Sequence, residues 1–99
     1  MKRKAKTSPD FEKKVSKLRG QELKNLMNKI DEIICSEDIN HYKNLKYKLK
    51  RFKRAHVNNS YVILFFGDDG TIHFVDYEHH DIIYKLSKRQ LEKYEKLFH

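Results

Sequence analysis

Residues 61–77, YVILFFGDDGTIHFVDY, decide the fold that this sequence predicts. The first six, YVILFF, are apolar without alternation, which is typical of a central strand buried on both faces. Residues 67–70, GDDG, tolerate the positive φ angles of a tight turn, and residues 71–77 then return as a second strand. The stretch therefore predicts an antiparallel hairpin at the centre of a sheet.

The residues just before this hairpin predict one more strand. Ala55 and Val57 alternate with Arg54 and His56, so one face of the strand is apolar and the other is cationic. Residues 58–60, NNS, are of the types that form turns. We therefore expect this strand to join the same sheet as the hairpin.

The first half of the chain predicts two helices. Ser8, Pro9 and Asp10 supply an N-cap, a proline in the first turn and an acid near the helix start, so a helix is expected over residues 9–18. Apolar residues recur at steps of three and four over residues 21–35, which predicts a second, amphipathic helix. Two such helices need a flat partner, and the sheet of the second half supplies it.

The chain ends add two smaller elements. Residues 2–7 are expected to form an edge strand, and Ser87 with Gln90 has the spacing of a capping box at the start of a last helix. The fold class is therefore α+β: a twisted antiparallel β-sheet with two N-terminal helices packed on one face and a short C-terminal helix, in a single domain over residues 1–99. The core is expected to contain Phe11, Val15, Leu26, Ile30, Ile33, Val62, Leu64 and Phe74.

Composition limits the classes of protein to which the chain can belong. With 36% charged and 38% hydrophobic residues in 99 positions, it can build one modest core. No apolar stretch is long enough for a signal peptide or a membrane span, so we expect a cytoplasmic protein that does not bind membranes. Cys35 has no cysteine with which to pair, and its place in an apolar helical stripe predicts a buried structural thiol.

Most of the net charge of +8 lies in one basic segment, residues 41–56, HYKNLKYKLKRFKRAH. It holds seven lysines and arginines, three aromatic residues and no acid, and the rest of the chain has 15 basic against 14 acidic residues. A solvated charged face is the simple interpretation. Aromatic residues among cations suit RNA better, because rings stack on bases beside phosphate contacts. The expected RNA contacts are Lys46, Lys48, Lys50, Arg51 and Lys53.

The sequence His79-His80-Asp81 is the densest cluster of titratable residues, and histidine is a natural general acid or base near neutral pH. A metal site is the rival interpretation, but neither HExxH nor paired CxxC motifs occur, so no metal and no cofactor is predicted. Residues 82–84, IIY, are expected to end the sheet. In an extended segment His80 and Tyr84 share one side, whereas His79 points to the other.

Four residues of these strands fit one chemistry. If both strands belong to one sheet, Arg54, His56, His80 and Tyr84 line a single concave surface beside the basic segment. Cleaving RNA requires a base for the 2′-hydroxyl, cations for the phosphate charge and an acid for the departing 5′-oxygen. His80 would move a proton, Arg54 and Lys50 would hold phosphate, and His56 and Tyr84 would position the base or assist proton transfer.

The order of these segments resembles the RelE/ParE superfamily of toxins from toxin-antitoxin pairs. The segments follow the family's order: a short strand, a helical hairpin, a KLK segment, a strand with alternating cations, YVILFF and a terminal HHDIIY. HYKNL and HHDIIY look most similar to its archaeal-type RelE branch. RelE-like toxins are mRNA endonucleases that act in the ribosomal A site and are silenced by an antitoxin wrapped around them. The resemblance implies the ribosome, mRNA and a cognate antitoxin as partners, the last in a hetero-oligomer.

The resemblance also implies roles for single residues. Arg54 and His56 stand where the family places two strand-borne basic residues, His80 where it places the cation before the last strand, and Tyr84 where it places the terminal tyrosine. Tyr61 takes the position of an arginine that the family carries soon after the turn. Histidine also replaces lysine or arginine at two positions, which moves the expected site toward acid-base chemistry.

Two classes of function remain open at this point. The first is a ribosome-dependent endoribonuclease, an mRNA interferase that inhibits translation by metal-independent attack of the 2′-hydroxyl. The second is a protein that binds without catalysis, either a ParE-like inhibitor of a topoisomerase or a basic RNA-binding module. His80 and Tyr84 favour the enzyme, because binding alone does not require this pair.

Overall fold

The computed structural model describes residues 3–36, 42–44, 52–68, 70–85 and 93. Its elements are β1 (Lys4–Thr7), α1 (Pro9–Val15), α2 (Gly20–Cys35), β2 (Lys43–Asn44), β3 (Lys53–Val57), β4 (Tyr61–Asp68), β5 (Thr71–His79) and α3 (His80–Tyr84). Within this part of the chain, one five-stranded sheet has the order β1-β5-β4-β3-β2. The predicted α+β class is confirmed.

The sheet is antiparallel from β2 to β5, and β1 adds a parallel pair at the edge beside β5. A parallel pair needs a long connection between its strands. Here the chain between β1 and β5 includes both N-terminal helices. The edge strand expected near the start of the chain is therefore present, and it makes the sheet mixed.

Ser8 starts α1 and also ties this helix to the sheet. Its Oγ accepts a hydrogen bond from the Phe11 amide at 3.0 Å, which is the predicted N-cap interaction. The same hydroxyl donates to the carbonyl of Val75, and the Ser8 amide donates to the carbonyl of Phe74 at 3.0 Å. α1 is therefore fixed against the backbone of β5.

α1 ends at Val15, earlier than the predicted end at residue 18. The amides of Lys17 and Leu18 donate to carbonyls three residues earlier, at 3.2 and 3.0 Å, so the chain tightens into a turn. Gly20 follows with a φ of +59°, a left-handed angle that glycine adopts without steric cost, and α2 begins there.

The sheet separates two apolar clusters. The helix face, covered by α1 and α2, holds Phe11, Leu26, Ile33, Ile34, Ala55, Val57, Ile63, Phe65, Ile72, Phe74 and Tyr77. The α3 face, to which α3 contributes one residue, holds Phe52, Val62, Leu64, Phe66, Val75 and Ile83. Residues 62–66 are all 0% exposed, as a strand buried on both faces requires. Of the expected core, Val15 and Ile30 are half-buried against the helix face, and the others are buried.

A bulge in β5 determines which of its later side chains reach each face. Leu64 pairs with Asp76 whereas Phe65 pairs with Phe74, so Val75 is an extra residue in β5. Phe74 and Tyr77 both pack in the helix face, although residues three apart on a regular strand lie on opposite faces. Sequence alternation alone therefore does not describe this strand.

Residues 80–84 form helix α3, so the prediction of a last strand there is wrong. His79 caps the helix, since its Nδ1 accepts a hydrogen bond from the Asp81 amide at 3.2 Å. Ile83 is 0% exposed in the α3 face, whereas Ile82 is 51% exposed. Capping and the burial of one isoleucine thus outweigh the strand propensity of IIY.

Cys35 is exposed, so the prediction of a buried thiol is also wrong. It is the last residue of α2, and Ile33 and Ile34 occupy the buried side of this turn. The helix predicted from Ser87 lies outside the described residues, apart from Lys93. Among the helices that the structure describes, none is long and apolar enough to cross a membrane.

Candidate catalytic site and nucleic-acid interface

Arg54 and His56 lie on the face of β3 that is opposite α1 and α2. Ala55 and Val57 pack in the helix face, so strand alternation directs the other two side chains to the α3 face. Leu64 of that face is the register partner of Arg54. Arg54 is half-buried and His56 is exposed. The predicted shared surface of these two residues is therefore present.

The structure does not bring Lys53 to this surface, contrary to the expectation that it contacts RNA beside Arg54. Lys53 is 8% exposed, and alternation puts it on the side of Ala55, with the helices. The other predicted RNA contacts lie outside the described residues; they are Lys46, Lys48, Lys50 and Arg51. They stay predictions.

His80 is the first residue of α3 and lies beside the end of β3. Its amide donates to the carbonyl of Ser60 at 2.7 Å, and Ser60 belongs to the turn that follows β3. His56 lies near this end of the strand, and Arg54 lies two residues further, about 7 Å along the strand. The backbone therefore brings the predicted proton-transfer residue near the His56 end of β3, and Arg54 lies further along the strand.

Asp81 orients the imidazole of His80. The Nδ1 atom of His80 lies 2.9 Å from Oδ1 of Asp81, and the side chains are 34% and 64% exposed. A proton on Nδ1 can be donated to the carboxylate, which leaves Nε2 as the second acid-base position of the ring. A carboxylate that fixes a histidine in this way is the arrangement that general acids and bases use.

The rings of His79 and His80 are neighbours, so the prediction that they point to opposite sides is wrong. Their centroids lie 4.5 Å apart, with 32° between the planes. The prediction assumed an extended segment, whereas the chain leaves β5 and enters α3 between these two residues. For Tyr84, the last residue of α3, the side chain lies outside the described part of the structure. Its predicted role therefore remains a prediction.

An ion network on β5 was not found from the sequence. The Nζ atom of Lys14 lies 2.7 Å from Oδ1 of Asp76 and 2.9 Å from Oε2 of Glu78. In the register of the sheet, Asp76 lies two strands from Arg54, and Glu78 lies two strands from His56. Each acid is therefore about 10 Å from a basic residue of β3. The sequence showed only that Asp76 and Glu78 alternate on a strand. Their partner, Lys14, is far away in the sequence, so the ion network could not be predicted.

The contacts of this network shift two pKa values. Burial lowers the pKa of Lys14, but its hydrogen bonds and charge interactions with Asp76 and Glu78 outweigh burial, so the pKa is raised overall. Burial raises the pKa of Glu78, but the hydrogen bond from the His79 amide and the contact with Lys14 lower it overall. The network therefore holds Lys14 and Glu78 in their charged forms.

Asn58 connects the turn after β3 to α2 and β5. Its Oδ1 accepts a hydrogen bond from Asn25 at 2.9 Å, and its Nδ2 donates to the Glu22 carbonyl at 2.9 Å and to the Tyr77 hydroxyl at 3.0 Å. Burial raises the pKa of Tyr77, and the bond with Asn58 opposes that shift. These bonds hold in place the turn whose Ser60 carbonyl receives the His80 amide.

Tyr61 fills the position where an arginine was expected, and its ring contacts Tyr77 and His79. It stacks on Tyr77 at 5.1 Å between centroids and meets His79 edge-on at 5.8 Å. Tyr61 as a whole is 38% exposed. Next to it, His79, His80 and Asp81 offer ligand atoms that all lie within 4.8 Å of one another, and among the described residues this is the one such group.

No protein-family profile matches the chain. A protein of Methanocaldococcus jannaschii that is named as a toxin, RelE4, is 43% identical over 77 residues, which are 76% of this chain and 80% of that protein. The chain belongs to the RelE family of toxins. The resemblance found in the sequence is thus confirmed, and the protein is a RelE-like toxin of a toxin-antitoxin system.

Solved structures confirm the fold of this RelE-family toxin. The toxin-antitoxin complex RelBE2 from Mycobacterium tuberculosis matches with a TM-score of 0.55 at 16% identity, over 80% of this chain and 99% of that chain. A copper-bound mutant toxin from Helicobacter pylori matches with a TM-score of 0.56 at 14% identity, over 81% of this chain and 97% of that chain. At these identities the likeness concerns the fold alone.

Proposed function

We propose that this RelE-family toxin is an endoribonuclease that cleaves mRNA on the ribosome and so inhibits translation. Two observations carry the proposal, one on β3 and one at the turn that follows it. Arg54 and His56 share the α3 face of β3, and the His80 amide is bound to the turn that follows this strand. Attack by a 2′-hydroxyl requires a cation beside the phosphate and titratable groups that transfer protons.

Each residue has a proposed role in that reaction. Arg54 neutralises the charge that gathers on the scissile phosphate, because its guanidinium is always protonated. His80, oriented by Asp81, gives a proton to the departing 5′-oxygen, and His56 positions the nucleotide or assists proton transfer. Tyr84 is proposed to act beside His80. The 2′-hydroxyl loses its proton to His56 or to water as its oxygen attacks the adjacent phosphorus. The bond to the 5′-oxygen breaks, that oxygen takes the proton from His80, and a 2′,3′-cyclic phosphate remains.

Charge supports a polyanionic partner. The net charge of +8 is concentrated in residues 41–56, which raises the local concentration of RNA and speeds encounter. The proposed contacts of this segment with RNA are Lys46, Lys48, Lys50 and Arg51. Lys53 is left out of this set because of its burial.

A cognate antitoxin is the second proposed partner. One structural neighbour is itself a toxin-antitoxin complex, RelBE2. An antitoxin with acidic segments would complement the charge of this chain and compete with RNA for it. We expect an open reading frame beside the gene to encode such a protein and to suppress the growth arrest that the toxin causes.

Cleavage by purified protein tests the function. Ribosomes carrying a defined mRNA are incubated with the toxin in EDTA, and the cleaved ends are mapped by primer extension. His80→Gln should slow cleavage by roughly 10² to 10⁴, the range of a lost general acid or base. Arg54→Gln should slow it by roughly 10² to 10³, the range of a lost group that stabilises transition-state charge. Arg19→Gln is the matched control, since Arg19 is exposed at the start of α2.

The outcomes separate the two classes of function. Ends with 2′,3′-cyclic phosphate from the wild type, lost in Arg54→Gln and His80→Gln but kept in Arg19→Gln, support the enzyme. Wild-type protein that binds ribosomes or RNA without cutting would refute it and leave a binding module. Inhibition of a topoisomerase in place of RNA cleavage would assign the chain to the ParE type.

A further inference from the structure

We propose that His79, His80 and Asp81 form a binding site for a divalent transition-metal ion of the zinc class. The three residues are consecutive, and their ligand atoms lie within 4.8 Å of one another. The segment lacks the spacing motifs of common metal sites, so the sequence alone did not predict this one. The proposal goes beyond RNA cleavage, since ion binding can be measured without RNA or ribosomes.

The distances are close to those of a coordination shell. Tetrahedral ligands about 2.1 Å from a zinc ion lie about 3.4 Å from each other. In the structure, Oδ1 of Asp81 is 2.9 Å from Nδ1 of His80, and Oδ2 is 3.7 Å from Nδ1 of His79. The carboxylate therefore already lies between both imidazoles. Small rotations of the half-exposed rings complete a three-ligand shell with an open position for water.

The junction of β5 and α3 explains how consecutive residues can converge. Neighbouring side chains in a strand point to opposite faces. At His79 the strand ends, and the chain turns into the helix at His80, so the two rings meet at 4.5 Å between centroids. A metal ligand set of neighbouring residues becomes possible only through this turn.

Contacts around the cluster restrain the backbone of His80 and the ring of His79 before an ion arrives. The His80 amide is bound to the Ser60 carbonyl at 2.7 Å, and the His79 ring meets Tyr61 edge-on at 5.8 Å. Tyr61 in turn stacks on Tyr77. Such supporting contacts orient metal-binding histidines and reduce the ordering that binding requires.

The ligand types select the class of ion. Two imidazole nitrogens and one carboxylate oxygen suit zinc, copper or nickel, whereas magnesium and calcium prefer oxygen alone. An ion would replace two contacts: the 3.2 Å hydrogen bond from the Asp81 amide to His79, and the partly exposed 2.9 Å contact between His80 and Asp81. Because His80 and Asp81 also form the pair proposed for proton transfer, an ion held there would exclude that transfer.

Calorimetry with zinc chloride tests the site on the full chain without an affinity tag. The wild type should bind one zinc ion, and magnesium chloride should give no heat of binding. His79→Ala and His80→Ala should each weaken zinc binding by about tenfold or more. His56→Ala is the matched control, since it removes an exposed histidine of β3 and should leave zinc affinity unchanged.

An NMR titration keeps the test independent of how the variants fold. Zinc added to the wild type should shift the imidazole signals of His79 and His80 and leave those of His56 in place. Equal zinc affinity in all three variants, no zinc binding in the wild type, or shifts confined to other histidines would each overturn the site. Loss of RNA cleavage has no bearing on any of these results.

Discussion

Replacing Asn58 with glycine should destabilise the protein chiefly through the loss of side-chain hydrogen bonds. The backbone φ of Asn58 is +52°, an angle that glycine adopts freely. The side chain makes three bonds of 2.9 to 3.0 Å, to Asn25, to the Glu22 carbonyl and to the Tyr77 hydroxyl. At about 1 kcal/mol net for each bond, the free energy of unfolding should fall by about 2 to 3 kcal/mol.

Asn59→Gly is the matched control for this prediction. Asn59 is the next residue of the turn, with a φ of +62°, and it is exposed. Both variants relieve a left-handed asparagine and give the unfolded chain the same extra freedom, so their difference isolates the bonds of Asn58. Urea denaturation followed by circular dichroism measures this difference, provided that the m-value is unchanged. A difference below about 0.5 kcal/mol would show that the bonds of Asn58 do not stabilise the fold.

Three further outcomes are expected. Ile33→Ala should lower the free energy of unfolding by about 2 to 5 kcal/mol because it leaves a cavity. Ile30→Ala should lower it by less because Ile30 is half-buried, and equal losses in urea denaturation would contradict this difference in burial. Lys14→Met should lower the free energy of unfolding by about 1 to 3 kcal/mol because it breaks the ion network. Lys13 is an exposed neighbour, so the control Lys13→Met should cost less than about 0.5 kcal/mol, and similar losses would mean that the network does not stabilise the fold. The pKa of Lys14 is raised above 10.5 and the pKa of Glu78 is lowered below 4.5. The two charges therefore stabilise the folded protein fully between pH 4.5 and pH 10.5. When unfolding is measured at a series of pH values, the free energy of unfolding should fall as the pH rises through the raised pKa of Lys14. It should also fall as the pH drops through the lowered pKa of Glu78.

The sequence determined the elements whose signals are local. YVILFF is apolar on both faces and became the central strand β4, because only a fully buried position satisfies such a run. Ser8 followed by Pro9 started α1 as predicted, because capping depends on neighbours in the chain. The alternation in β3 placed Arg54 and His56 together for the same reason. Relatedness to RelE toxins was also visible in the order of these segments.

Tertiary contacts decided what local patterns leave open. Residues 80–84 have the composition of a strand, yet they form α3, because the burial of Ile83 and the cap from His79 stabilise a helix there. Cys35 belongs to an apolar stripe, but Ile33 and Ile34 already fill the buried side. In both cases the preference of the segment was weaker than the packing around it.

The site shows the same division between sequence and structure. The residue types of a basic, histidine-containing surface could be read from the sequence, because charge and acid-base chemistry belong to single side chains. Their arrangement could not, because the Ser60 carbonyl positions His80 and the turn into α3 brings His79 beside it. The bond between Lys14 and Asp76 joins residues 62 positions apart, and no periodicity along the chain records a contact of that range. Pairings across the sheet exist only once the strands have found their register, which is why the structure alone shows them.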